Sequence, residues 1–251
     1  MNKITDIAYD SSLGFRGEGD LYLPENPENA PSALVIHGGG WNSMDRSGLA
    51  GVAEFMCEIG FGAFNINYRL LKDAPWPACG DDCLKAANFL IDAGHSAMEA
   101  LNRSKILVIG GSAGGHLTLM TGLRLPVEKV KGIVAIAPPT DMKEHFEFSP
   151  QHYKGFFAKE PSIEDLQKAS PIYNIKGTPP PVLCTHSVND QLVSPSQSEK
   201  FVKACREAGG MAEIYLYENP DRNHGIWIEG SSPHRLLPEL EKRIKEFITS
   251  L

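Results

Sequence analysis

The sequence predicts an α/β protein built on a mostly parallel, doubly wound sheet of about eight strands flanked by helices. Two observations carry this. Short apolar, β-branched runs alternate with helical stretches, the order expected of βαβ units. Most of those runs are apolar throughout, as strands covered on both faces are. They lie at residues 33–36, 61–68, 106–109, 133–137, 182–184 and 214–217. Two earlier strands, near 4–9 and 17–23, would add an edge to the sheet. Helices are expected at 48–59, 79–93, 113–123, 195–208 and 236–248, the last with Leu237, Leu240, Ile244 and Phe247 on one face. Residues 141–176 break the rhythm. They hold no clear strand, cluster Phe146, Phe148, Tyr153, Phe156 and Phe157, and read as a short lid-like insertion in one domain spanning 1–251.

Composition excludes several classes. A chain of 251 residues, 42% of them hydrophobic, can bury a sizeable core without metal or disulfide staples. A net charge of −7 argues against nucleic-acid or anionic-membrane partners. No run approaches the roughly 18 apolar residues of a membrane span, so no membrane partner is expected. The start lacks a basic patch followed by an apolar stretch, so no signal peptide is visible. Cys57, Cys79, Cys83, Cys184 and Cys205 are odd in number and scattered, a poor disulfide framework and a poor zinc site. Reduced thiols in the cytoplasm are the expectation.

The chemistry concentrates in two glycine-rich turns. Gly110-Gly111-Ser112-Ala113-Gly114 follows the run 106–109 and opens a helix, which is G-x-S-x-G in its strand–turn–helix setting. A serine on so sharp a turn exposes its Oγ, and flanking glycines remove the Cβ atoms that would collide there. His37-Gly38-Gly39-Gly40-Trp41 follows the run 33–36. Glycines at that point let backbone N–H groups turn toward a developing oxyanion, with the N–H of Ala113 as a further donor. Together the turns point to acyl transfer. No GxGxxG or Walker sequence, no HExxH and no clustered metal-ligand set is present, so no cofactor or metal is implied.

A serine nucleophile needs a base, and the base needs an orienting carboxylate. Among eight histidines, His224 lies in the loop 221–225, after the last predicted strand and before the last helix, where it can reach over the strand ends. Asp190 stands past the run 182–184 and gives the chain order Ser112, Asp190, His224. It is preferred over Asp141, which would cap the insertion, and over Asp221, which is too near the base in sequence. His37 reads as structural, His116 as holding neighbouring loops and His186 as a strand-end packing residue. His145 and His152 lie in the insertion, where they are in reach of substrate, and read first as solvated residues. Trp41 is expected to line the substrate pocket.

These residues taken together resemble the α/β-hydrolase fold, specifically esterases with an HGGG-type oxyanion turn. The match runs from His37-Gly38-Gly39-Gly40-Trp41 through Gly110-Gly111-Ser112-Ala113-Gly114-Gly115-His116 to Asp190-Gln191-Leu192-Val193 and Asn223-His224-Gly225. The resemblance implies oxyanion donors at Gly39, Gly40 and Ala113. Too few residues precede His37 for the N-terminal cap of hormone-sensitive-lipase-type members. The likeness is therefore to compact bacterial carboxylesterases, including acetyl- and feruloyl-esterases acting on decorated carbohydrates. Kynurenine formamidases share a related histidine–glycine turn and are the alternative. The partner implied is a small-molecule or carbohydrate ester, with small acyl groups expected.

Overall fold

The computed structural model describes residues 1–218, 224 and 234–251. Five strands, β3 (Pro31–Ile36), β4 (Gly62–Ile66), β5 (Asn102–Gly111), β6 (Val130–Ile136) and β7 (Val182–Ser187), form its parallel centre. They are the β-branched runs read from the sequence, and their inner residues are almost wholly buried. The parallel strand β8 (Ala212–Tyr217) closes one edge and is half-exposed. At the other edge β1 (Asn2–Ala8) and β2 (Glu18–Leu23) pair antiparallel, and β2 pairs antiparallel with β4. The order is β1-β2-β4-β3-β5-β6-β7-β8. Eight strands in a mostly parallel sheet agree with the reading from sequence.

Successive strand residues feed two separate cores, because side chains alternate across a sheet. Ala33, Val35, Leu107, Ile109, Val134 and Ile136 pack under α1 (Ala50–Glu58) and α7 (Pro238–Thr249). Leu34, Ile36, Val108, Ile133 and Ala135 face the other way. There they meet α2 (Ala78–Ile91), α3 (Ala113–Arg124) and α6 (Ser196–Glu207). The stripe expected on the last helix is the buried one, with Leu240, Ile244 and Phe247 inside. The five cysteines are all free and buried. Among the described residues, no helix is long and apolar enough to cross a membrane.

The insertion 141–176 connects β6 to β7 and contains α4 (Met142–Phe148) and α5 (Ile163–Lys168). Asp141 caps α4 by accepting from the N–H groups of Lys143 and Glu144, the role its position suggested. Phe156 is fully buried and belongs to the same core as Leu34 and Ile36, and Trp76 stacks on it at 5.6 Å. The insertion is thus anchored in the main core through its aromatic side chains. Ser149 Oγ also donates to Leu192 O at 2.6 Å, tying it to the loop that follows β7.

Candidate active site

Ser112 follows the C-terminal end of β5 with φ 58° and ψ −125°, a left-handed conformation that L side chains rarely adopt. Its N–H donates to Ile136 O of β6 at 2.7 Å, which pins the elbow to the neighbouring strand. Close packing behind it explains the glycines. A Cβ on Gly114 would stand 2.2 Å from Ile36 O, and one on Gly110 would stand 2.5 Å from Thr118 Oγ1. Only glycine lets the start of α3 slide against the end of β3.

The turn after β3 comes to the same place. A Cβ on Gly38 would lie 3.3 Å from the Cβ of Ser112. Gly39, Gly40 and Trp41 have φ of 100°, 57° and 58°, a run of left-handed backbone that glycine adopts most readily. The carbonyls of the turn are already engaged. Tyr68 Oη donates to His37 O at 2.9 Å and to Gly38 O at 3.2 Å. Gly39 O accepts from the N–H groups of Asn42 and Ser43 and from Ser43 Oγ. Among the described residues no backbone oxygen accepts from the N–H of Gly39 or Gly40. The N–H of Ala113, first in α3, has no acceptor within its helix, and the positive end of that helix dipole adds to the field.

Asp190 and His224 meet after β7 and β8. His224 Nδ1 lies 2.6 Å from Asp190 Oδ2. Asp190 Oδ1 accepts from the N–H groups of Leu192 and Val193, both at 2.9 Å. Burial alone would raise this carboxyl, but hydrogen bonds from His186 and His224, with that of Val193, hold it well below the usual carboxylate range. The loop around His224, including Asp221, otherwise lies outside the described residues. Ser112 and His224 line one cavity of about 400 Å³ with Gly38, Gly39 and Gly40. The rest of its lining carries Asn42, Ser43, Gln151, His152 and Lys154 beside Met44, Leu71 and Leu192. Among the described residues no group of three His, Cys, Asp or Glu side chains could hold a metal ion.

Trp41 does not line this cavity, which corrects the reading from sequence. Its side chain is wholly buried and its Nε1–H donates to His116 Nδ1 at 3.2 Å. The left-handed backbone at Gly40 and Trp41 turns the indole down into the core, beneath the glycine turn. His116 Nε2–H donates to Ala169 O at 2.7 Å, linking α3 to the insertion as expected. The reading of His145 as solvated is also corrected. His145 is 1% exposed and so not solvated, while His152 is half-buried and lines the cavity, within reach of substrate.

Two groups were missed. His186 is fully buried, holds Ser198 Oγ at 2.7 Å and Val193 O at 2.9 Å, and lies 3.4 Å from Asp190 Oδ2. It helps hold Asp190 in place, and its position four residues before Asp190 was the available signal. Tyr68 orients the glycine turn and stacks on His37 at 4.1 Å, with no sequence signal because β4 delivers it from 31 residues away.

A family model described as BD-FAE matches residues 19–205, about three-quarters of the chain. The chain belongs to the BD-FAE family. This BD-FAE chain is 33% identical over 127 residues to versiconal hemiacetal acetate esterase of Emericella nidulans, covering 48% of the chain and 41% of that relative. It is 26% identical over 264 residues to acylamino-acid-releasing enzyme 2 of Oryza sativa subsp. japonica, covering 92% of the chain and 32% of that protein. The chain thus spans less than half the length of these curated relatives. A solved truncated form of a carbohydrate esterase from gut microbiota superposes with TM-score 0.85 at 21% identity, covering 100% of this chain and 96% of that one. At that identity the likeness speaks for the fold, which is the α/β-hydrolase fold the motifs implied.

Burial in the BD-FAE chain also sets an acid limit. His37 and His116 are pushed down to about 4, and His145 to about 3, in each case chiefly by desolvation. Unfolded, each titrates near 6.5. Between these values the unfolded chain binds protons that the folded one refuses, so stability is complete above about pH 6.5 and declines as pH falls toward 4. The loss should reach about 3 kcal/mol per histidine by pH 4, enough together to threaten a domain of ordinary stability. Urea unfolding at stepped pH should give a slope approaching three protons. A flat stability between pH 6.5 and 4.5 would contradict the burial.

Proposed function

We propose that this chain is a serine carboxylic-ester hydrolase acting on short-acyl esters of hydroxylated alcohols, with acetylated or feruloylated carbohydrates as the substrate class. The observation that carries the reading is the Asp190–His224 pair at 2.6 Å, opening on the cavity that Ser112 shares with the glycine turn. His224 takes the Ser112 proton while Asp190 holds the ring with Nδ1 protonated and stabilises the cation that forms. Ser112 Oγ attacks the ester carbonyl, and the N–H groups of Gly39, Gly40 and Ala113 receive the oxyanion, each contributing about 2–4 kcal/mol to the transition state. The alcohol departs with the proton from His224, leaving an acyl-serine. His224 then deprotonates a water that attacks the acyl carbonyl, and the acid leaves as Ser112 recovers its proton.

The substrate class rests on the wall of the cavity. Asn42, Ser43, Gln151, His152 and Lys154 offer hydrogen bonds suited to a sugar, whereas about 400 Å³ leaves little room for a long acyl chain beside it. A carbohydrate esterase among the folds that superpose supports the same choice. The test is a panel: p-nitrophenyl acetate, p-nitrophenyl palmitate, acetylated xylo-oligosaccharide, a feruloyl ester, N-formylkynurenine and N-acetylalanine p-nitroanilide. Turnover of p-nitrophenyl acetate and of a sugar ester is expected, with the palmitate poor. Preference for the formamide or the anilide would replace this reading with a formamidase or a peptidase, and silence across the panel would reject hydrolysis.

A further inference from the structure

The insertion places two histidines in direct contact beside the glycine turn. His145 Nε2 and His152 Nδ1 are 2.9 Å apart, and their rings stack at 5.0 Å between centroids. Trp41 presents its edge or face to both rings at 5.9 Å. His152 Nε2 reaches the opposite side, 3.4 Å from where a Cβ on Gly40 would stand, and its ring lines the catalytic cavity. The backbone fixes this geometry, because the His152 N–H donates to Ser149 O at 3.0 Å and Ser149 is itself tied to Leu192 O.

One proton occupies the His145–His152 contact, and its owner decides what His152 offers the cavity. If His152 donated from Nδ1, neutral His145 would carry its proton on Nδ1. That atom is buried and finds no partner among the described residues. A buried N–H without an acceptor is rare and costly, whereas an unused lone pair is better tolerated. The opposite arrangement satisfies every proton. His145 then donates from Nε2 to His152 Nδ1, and neutral His152 carries its own proton on Nε2, aimed into the cavity. Burial keeps both rings neutral at ordinary pH, so the assignment persists.

We infer that His152, held by His145 as the Nε2–H tautomer, is a specificity-determining residue that donates a hydrogen bond to an oxygen of a hydroxylated leaving group, such as a sugar hydroxyl or ring oxygen. This rests on the esterase reading above and says which side chain selects the alcohol. Asn42 and Gln151 on the same wall can either donate or accept, while His152 can only donate.

Kinetics and spectroscopy test it together. The readout is the ratio of kcat/KM for an acetylated xylo-oligosaccharide to that for p-nitrophenyl acetate. His152→Leu should lower this ratio about three- to tenfold, the effect of losing one neutral donor, and His152→Gln should restore most of it. Long-range ¹H–¹⁵N correlation on the unmodified protein should show His152 protonated at Nε2 and bare at Nδ1. A ratio unmoved by His152→Leu, a Gln variant no better than the Leu variant, or the reverse tautomer would each overturn the inference. If p-nitrophenyl acetate is still hydrolysed in those cases, the esterase reading survives. Absence of hydrolysis in the unmodified protein would remove both.

Discussion

Ser112→Ala is expected to lower kcat on p-nitrophenyl acetate by about 10⁵-fold or more, leaving only what the cavity and its donors supply. The size follows from the role. Ser112 supplies the attacking oxygen, and among the described residues the other hydroxyl lining the cavity, Ser43 Oγ, donates to Gly39 O at 2.8 Å rather than to His224. Alanine must also adopt φ 58°, which the surrounding ladder enforces through the Ser112 N–H bond to Ile136 O, so the fold should persist while chemistry stops. An organophosphonate should label the unmodified chain once, at Ser112, and should not label the variant. Activity within tenfold of the unmodified protein, or label on another residue, would reject Ser112 as nucleophile.

Asp190→Asn should reduce kcat by about 10⁴-fold with little change in fold, because it reverses one proton. The Oδ1 of Asp190 accepts from the N–H groups of Leu192 and Val193, so an asparagine there keeps its carbonyl oxygen on that side. Its amide NH₂ must then face His224 Nδ1, where the carboxylate oxygen stood at 2.6 Å. An N–H facing Nδ1 requires that atom to be a bare acceptor, which places the ring proton on Nε2. A ring protonated at Nε2 cannot take the Ser112 proton. Circular dichroism should match the unmodified protein, with thermal unfolding shifted somewhat down because the hydrogen-bonded carboxylate is lost, while turnover collapses. A variant retaining more than a tenth of kcat would mean that Asp190 does not orient His224.

Much of this was legible in the chain itself. The parallel centre is written in short runs that are mostly apolar, because strands covered on both faces have little use for polar positions; the exceptions, such as Asn65 in β4 and His186 in β7, are buried. The nucleophile turn announces itself because its geometry tolerates almost nothing else: Gly110 and Gly114 stand where any Cβ would strike backbone or side-chain atoms within about 2.5 Å. Asp190 and His224 follow from chain order, and the structure brings them into hydrogen-bond contact after neighbouring strands.

Sequence reasoning erred where direction mattered more than position. Trp41 adjoins the glycine turn in sequence and so invited a place in the cavity. Two consecutive left-handed residues, Gly40 and Trp41, reverse that by rotating the indole into the core. The place of His152 in the insertion suggested solvation, yet it contacts His145, which is buried on α4. His186 reaches Asp190 only because the loop folds back, with the Asp190 N–H donating to Ser187 O at 3.2 Å.

By itself the sequence determined the sheet, the order in which strands deliver the candidate catalytic residues, and the two turns where only glycine fits, because those properties depend on local periodicity and local sterics. Tertiary structure alone decided which way Trp41 points, which tautomer His152 presents and which buried side chains hold Asp190 and the glycine turn in place. Such questions are settled by contacts between residues far apart in the chain, and by the requirement that every buried proton find an acceptor.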